Sequence, residues 1–415
     1  MKVEKVDVVV IGAGPSGAVA SSLLNKQGKQ VVVLERETFP RFSIGESLLP
    51  QCMTYLAEAG LVDSLHEKAD ALGFQFKNGA AFEKSGEHTF FDFTDKFTEG
   101  PGTTYQVKRA DFDKLLADGA AKQGVTIRYQ HTVLEVTEHA EFMRLMVIDD
   151  CGETYTIEAK FVLDASGFGR VLPRLLDLEK PSKFPVRSSY FTHVEDNIDD
   201  TDFDRNKILI TVHPTHQDVW YWLIPFSDGT ASIGVVIEPN KVIDPEREHD
   251  AILFDYIHQV PNLSRLLKNA KAIAPARQIK GYSADVTRLH GERFALLGNA
   301  GEFLDPVFSS GVTIALRSAS LIAPVVNDLL EGKEVDLEND YAKPLKQGVD
   351  CFKTFVTAWY DGRFQDVIFH KEQDAQIRQM VCSILAGYAW DTSNPYVAQS
   401  ERRLDVLAKL CKEYQ

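Results

Sequence analysis

The 415-residue chain is 44% hydrophobic and 25% charged, an ordinary globular composition, and its length predicts two to three domains. With 45 basic against 60 acidic residues its formal charge is -15, which excludes the broad basic footprint that nucleic acid requires and disfavours an anionic membrane surface. Five scattered cysteines without a CxxC pair argue against a zinc site or a disulfide framework, and the lack of a signal pattern or a long apolar run points to a cytoplasmic protein with no integral membrane segment.

Residues 6–11 form an unbroken apolar run, 15–27 carry a helical pattern and 30–35 read as a second strand. The first run is too uniformly apolar to be half exposed, as in a central strand of a parallel sheet. Between them lies Gly12-Ala13-Gly14-Pro15-Ser16-Gly17, a GxGxxG sequence between strand and helix, and Glu35 closes the next strand. That context makes it a dinucleotide fingerprint. Gly12 permits the tight turn, Gly14 lets backbone approach a pyrophosphate, and Gly17 lets the helix pack against the strand. Glu35 would accept hydrogen bonds from a ribose diol and repel a 2′-phosphate. A single fingerprint leaves NAD and the ADP half of FAD both open.

Further along, 109–122 read as a helix stopped by Gly124, 125–129 as a strand, and 133–137 with 142–148 as a small antiparallel meander. Residues 161–165 are another buried strand. From 184 to 273 the texture changes to alternating segments, 207–213, 220–225 and 231–237, which predict an antiparallel sheet. A strand at 294–297 and a helix at 310–327 return to the first texture, and an aromatic-rich helical pattern follows from 334. The expected fold is therefore α/β: a discontinuous Rossmann-like domain (1–72, 103–178, 279–330), an inserted antiparallel-sheet substrate domain (73–102, 179–278) and a helical carboxy-terminal region (331–415). His213 and His216, flanking Pro214, read as a surface turn, and no histidine set has metal-ligand spacing, so no metal is expected.

The sequence LLGNAGEFLDP at 296–306, continued as VFSSGV to Val312, resembles the second FAD signature of flavin monooxygenases with the p-hydroxybenzoate hydroxylase fold. FPRFSIGES at 39–47, YQVKR at 105–109 and DASG at 164–167 follow in the family's order. Together they resemble the branch holding the flavin-dependent halogenases and geranylgeranyl reductases. The resemblance implies FAD, bound by the fingerprint with Pro15 and Ser16, by Glu35, Arg36, Arg41, Ser47 and Arg109, and by Asp164 and Gly167. It extends to Gly298, Asn299, Asp305, Pro306, Ser310, Gly311 and Val312. Where the family has Gly-Asp, this chain has Gly298-Asn299. Asparagine can still donate and accept toward the flavin ribityl hydroxyls, but without charge assistance.

WYWLIP at 220–225 fits the halogenase pattern WxWxIP. On a strand Trp220, Trp222 and Ile224 share one face, and the resemblance makes them, with Pro225, pocket walls that keep a second substrate from the flavin; the plain alternative is a core strand. Lys77 has flanks similar to those of the halogenase lysine that accepts or steers hypohalous acid, although an isolated lysine in a strand is ordinarily solvated. The amides of Ser310 and Gly311, at a helix start, match the halide loop. Phe308 stands where tryptophan halogenases carry a catalytic glutamate, which favours a phenol- or pyrrole-type pocket. The resemblance thus implies a halogenase-like monooxygenase using reduced FAD, oxygen and chloride or bromide. Electrons would come from a separate flavin reductase or NAD(P)H, and the substrate would be a small electron-rich aromatic, free or tethered to a carrier protein. A flavin-dependent reductase of carbon–carbon double bonds and a non-catalytic flavin-binding protein are the alternatives.

Overall fold

The apolar run near the amino terminus becomes the strand Val3–Ile11, whose last residues are buried on both faces. It pairs in parallel with Val31–Glu35 on one side and Thr154–Asp164 on the other. Full burial explains the absence of polar alternation. Thr126–Tyr129 and Phe294–Leu296 add further parallel pairings. Thr154–Asp164 is longer than the 161–165 run suggests: its first half is the return arm of the meander, antiparallel to Met143–Ile148, which in turn pairs with Thr132–Glu138. The computed structural model describes residues 3–182, 184–242, 244–281, 284–302 and 304–413.

Helices Pro15–Lys26, Arg109–Lys122 and Ser310–Leu330 pack together against this sheet. Ser310–Leu330 is long and apolar enough to cross a membrane. Here its buried stripe, including Ile314, Leu316, Ile322 and Val326, belongs to the main core. It therefore reads as a core helix.

The second sheet runs in the order Lys271–Ala272, Ser188–Glu195, Thr230–Ile237, Trp220–Pro225, Lys207–Val212, Gly79–Lys84, Glu87–Asp92. It differs from the expected antiparallel sheet at one seam, because Gly79–Lys84 lies parallel to Lys207–Val212. More than a hundred residues separate these strands, so no tight hairpin constrains their direction. Tyr190, Tyr221, Leu223 and Val235 face helices His249–His258 and Pro261–Leu266 and make a separate core. The opposite face, with Phe191, Ile208, Trp220, Trp222 and Ile224, joins the main core. Pro214 to His216 are exposed, as a surface turn requires, but His213 itself is buried: its ring lies near those of His216 and Tyr221, and Nε2 meets Gln259 Oε1 at 3.2 Å.

The carboxy-terminal helices Lys343–Tyr360, Arg363–Ile368, Ala375–Leu385 and Ser400–Glu413 close over the junction of the two sheets. Trp359 anchors them, fully buried between Phe82 of the second sheet and Phe308.

Candidate active site

The loop after the first strand has the shape of a pyrophosphate cradle. Gly12 has φ 99°, and a Cβ there would lie 2.6 Å from the Ala165 carbonyl oxygen. At Gly17 a Cβ would lie 2.0 Å from the Gly12 oxygen, so helix and strand touch backbone to backbone. Gly14 caps the helix and Pro15 opens it, which leaves amides at the positive end of the helix dipole without helical partners. Glu35 is buried, its Oε2 accepting from the Ala13 amide at 2.9 Å and its Oε1 from the Glu37 amide at 3.0 Å.

Cationic charge is concentrated beside this loop in a chain that is otherwise strongly acidic. The fully buried Asp113 carboxylate accepts from Arg109 Nε and Nη2 at 2.8 and 3.1 Å and from Arg41 Nη1 at 3.2 Å. Arg109 Nη1 also donates to the carbonyls of Ile44 and Gly45. It thereby fixes the extended segment 44–48, which takes a left-handed turn at Gly45, φ 101°. Along that segment the side chains diverge. Glu46 Oε1 meets His193 Nε2 at 2.6 Å, whereas Ser47 Oγ accepts from Lys77 Nζ at 2.7 Å.

A cavity of about 470 Å³ runs from the glycine loop to the second sheet. At its nucleotide end Gly12, Gly14, Pro15 and Ser16 line it with Glu35, Arg36 and Arg41. Ser47, Arg109 and Gly167 line its middle; Asn299, Pro306, Gly311 and Val312 line the side formed by the second signature. Trp220, Trp222 and Ile224 line the sheet end beside Phe191 and Ile208. The wall is tightly built, since Trp222 lies over the bare backbone of Gly234, where a Cβ would come within 2.3 Å of its ring. The indole nitrogens donate to Ser232 Oγ at 3.1 Å (Trp222) and Tyr360 Oη at 2.8 Å (Trp220).

Eight of the expected site residues stand behind this lining, Ser310 and Lys77 (taken up below) and six others. Asp164 is buried with its carboxylate turned to the amides of Ser166 and Leu172, at 2.9 and 2.6 Å. Gly17 and Gly298 act through close packing: Gly298 has φ 52°, and a Cβ there would be 2.8 Å from that of Ala315. Asp305 accepts from the Val307 amide at 3.3 Å and so shapes the turn before the helix. Pro225 is buried within its strand, and its carbonyl accepts from Gln106 Nε2. Phe308 is not on the cavity wall either; its ring packs edge-on against Trp359 and Phe364, at 5.7 and 5.3 Å. Phe303 of the second signature lies outside the described residues.

Ser309, at φ 56°, turns the chain into the helix Ser310–Leu330. The leading amides of Ser310 and Gly311 thus have no carbonyl one turn back to serve. Ser310 Oγ is itself buried without a hydrogen-bond partner among the described residues. A Cβ-free cradle, the buried Glu35 carboxylate, two arginines and a helix start along one elongated cavity fit a dinucleotide with a flavin at its far end.

Lys77 departs from the ordinary expectation of a solvated lysine. On the short strand Gln75–Lys77, Phe76 is exposed and Lys77 is fully buried. Its ammonium group meets Ser47 Oγ and the Leu48 carbonyl, at 2.7 and 2.8 Å, and lies 5.4 Å from the Phe93 ring centre. With no carboxylate salt-bridged to it among the described residues, burial pushes its pKa down to about 7, opposed only weakly by Cys52. Lys77 does not line the large cavity; Ser47, which does, connects the two. Glu46 and His193 were not singled out by sequence. The signal for His193 was its alternation with Ser189 and Phe191, which places all three on the cavity side of one strand.

Fold and site together define an FAD-dependent oxidoreductase. The model of the FAD binding domain family matches residues 5–337. The 1H-pyrrole-2-carbonyl peptidyl-carrier-protein chlorinase of Pseudomonas fluorescens is 28% identical over 436 residues, covering 97% of this chain and 92% of the relative. The tryptophan 2-halogenase of Chondromyces crocatus is 31% identical over 80% of this chain, but the match spans 62% of that longer protein. Among solved structures, a flavoprotein/dehydrogenase from Cytophaga hutchinsonii superposes with a TM-score of 0.94 at 43% identity, and a flavin-dependent brominase with 0.85 at 26%, each over 99% of both chains. The chain belongs to the FAD binding domain family, among the relatives of the flavin-dependent halogenases.

Proposed function

We propose that this protein halogenates an electron-rich aromatic ring of the pyrrole or phenol type, presented as a small molecule or on a carrier protein. Reduced FAD, delivered by a separate flavin reductase or formed with NAD(P)H, supplies the two electrons with which oxygen is activated to oxidise chloride or bromide. The chain's own residues do the rest. The amides of Ser310 and Gly311 hold the halide at a helix start. The Trp220 and Trp222 wall denies an organic substrate direct access to the flavin. Lys77 handles the oxidised halogen: its neutral amine attacks hypohalous acid at halogen, an N–X bond forms and water leaves. The halogen then passes to the ring, which loses a proton as the amine regains one.

The observation that carries this reading is the buried amine of Lys77, hydrogen-bonded among the described residues to two neutral oxygens, with a pKa pushed down to about 7. A charged ammonium has no lone pair for such chemistry; a neutral amine does. The carrier-tethered substrate is supported by the chlorinase and by the brominase of Pseudoalteromonas luteoviolacea, both named for a pyrrole carried on a peptidyl-carrier protein. The test is FAD-loaded protein, photoreduced and mixed with oxygen, bromide and a phenol or a pyrrolyl-carrier protein, with products read by mass spectrometry. Brominated product in wild type and none in Lys77→Ala is expected; no halogenated product from wild type refutes the reading.

The likeness to the flavoprotein/dehydrogenase favours a second reading, reduction of a carbon–carbon double bond. Rapid anaerobic reoxidation of the photoreduced protein by an alkene would establish it in place of the first.

A further inference from the structure

The sheet end of the cavity is walled by buried groups, while the nucleotide end opens past the exposed Arg36 and Glu37 and would be filled by the cofactor; the proposed reaction needs protons at the buried end. With the anionic reduced flavin, oxygen and halide yield hypohalous acid, water and oxidised flavin only if two protons are taken up. Without halide, oxygen goes to hydrogen peroxide with uptake of one. The sheet wall, formed by Trp220, Trp222, Phe191 and Ile224 with Ser189, carries no titratable side chain among these residues.

We propose that Glu46 and His193 form the proton conduit between solvent and the flavin cavity. Glu46 lines the cavity, its side chain is 1% exposed, and its Oε2 is buried without a hydrogen-bond partner among the described residues. Its other oxygen is 2.6 Å from His193 Nε2. The His193 side chain is 30% exposed but does not line the cavity. It is the last of the row Ser189, Phe191, His193 on the inner face of the strand Ser188–Glu195. One member of the pair reaches the chamber and the other reaches water, joined by a single short hydrogen bond.

The charges around His193 suit a group that cycles between neutral and protonated. Burial, Lys108 and Arg277 disfavour the imidazolium, while the hydrogen bond and charge of Glu46 favour it and prevail, so its pKa is raised. Lys108 is itself paired with Asp228. Arg277 is stacked on Phe42, 4.1 Å from its ring centre, and the rings of Phe42 and Phe226 flank the imidazole. A proton taken by His193 from solvent moves from Nε2 to Glu46 Oε1, rotation of the carboxyl group carries it to the place of Oε2, and from there it enters the cavity. The imidazole is then reprotonated from water, with no net change in either residue.

This inference rests on the proposed reaction for its two-proton stoichiometry, but its test does not need halide. Photoreduced, FAD-loaded protein is mixed with oxygen in weak buffer containing a pH-indicator dye, and proton uptake is followed beside flavin absorbance. In wild type, uptake of one proton per flavin should keep pace with reoxidation and slow as pH rises through the His193 titration. His193→Gln, which preserves a donor to Glu46 but cannot relay, should slow uptake at least about tenfold, and added imidazole should restore it. Glu46→Gln should slow uptake equally without rescue. Uptake within about twofold of wild type in either variant, absence of imidazole rescue, or a pH-independent wild-type rate would overturn the conduit. Adding bromide and trapping hypobromous acid separates the two ideas: normal uptake with no trapped bromine refutes the halogenase reading alone.

Discussion

Replacing Lys77 by methionine isolates the energetic consequence of its burial. A lysine has a usual pKa of 10.5, and here burial pushes it down to about 7. At about 1.4 kcal/mol per pH unit, this gap penalises the charged form in the fold by about 5 kcal/mol. The sign follows from proton binding. Between about pH 7 and 10.5 the unfolded chain holds the proton and the folded one has lost it, so raising the pH stabilises the fold. Below that window both states are protonated and the full penalty applies. Urea unfolding with FAD in fixed excess should therefore show wild type gaining about 2.5 kcal/mol relative to Lys77→Met between about pH 7 and pH 9. Below pH 7 the difference should level off. A wild-type-minus-variant difference that stays constant within about 0.5 kcal/mol across that range would mean that Lys77 is charged in the fold. Its role as a neutral amine would then fall.

Three further outcomes test the scaffold around the cavity. Gly17→Ala places a methyl group 2.0 Å from the Gly12 oxygen. Backbone cannot yield as a side chain can, so a loss of more than about 2 kcal/mol and of FAD binding is expected, read by thermal melting and flavin fluorescence titration. Gly234→Ala drives a methyl into the Trp222 ring and should cost about 1–3 kcal/mol while altering quenching of the bound flavin; an unchanged melt and unchanged quenching would show that the ring is not held there. Asp113→Asn leaves Arg109 and Arg41 without their buried anion. The expected cost is about 3 kcal/mol in denaturant unfolding, with FAD affinity lowered as the cationic pair spreads.

How much of this was legible in the sequence varies with the range of the interactions. The glycine fingerprint, with Glu35 beyond it, is local, and the strand–turn–helix appears where it was expected. Trp220–Pro225 likewise appears where it was expected, although both its faces meet a core, so that it is marked by a continuous apolar run and not by polar alternation. Lys77 was less legible: composition marks lysine as a surface residue, and its amine is met by the distant segment 47–48 and the Phe93 ring. The Glu46–His193 pair joins positions 147 residues apart, beyond any spacing rule. Phe308 illustrates the opposite limit. Its place in the loop was readable, yet its orientation was decided by Trp359 and Phe364, whose helices close over it from the far end of the chain.

The extended segment 44–48 lies between the flavin cavity and the buried Lys77 amine, and Ser47 touches both. Because Arg109 clamps this segment and is itself tied through Asp113 to Arg41 beside the nucleotide loop, the segment cannot shift without loosening the arginines at the cofactor site. Cofactor occupancy and the seating of the Lys77 amine are thus mechanically linked: whatever loosens the arginines beside the nucleotide loop also loosens the segment whose Ser47 and Leu48 hold the amine.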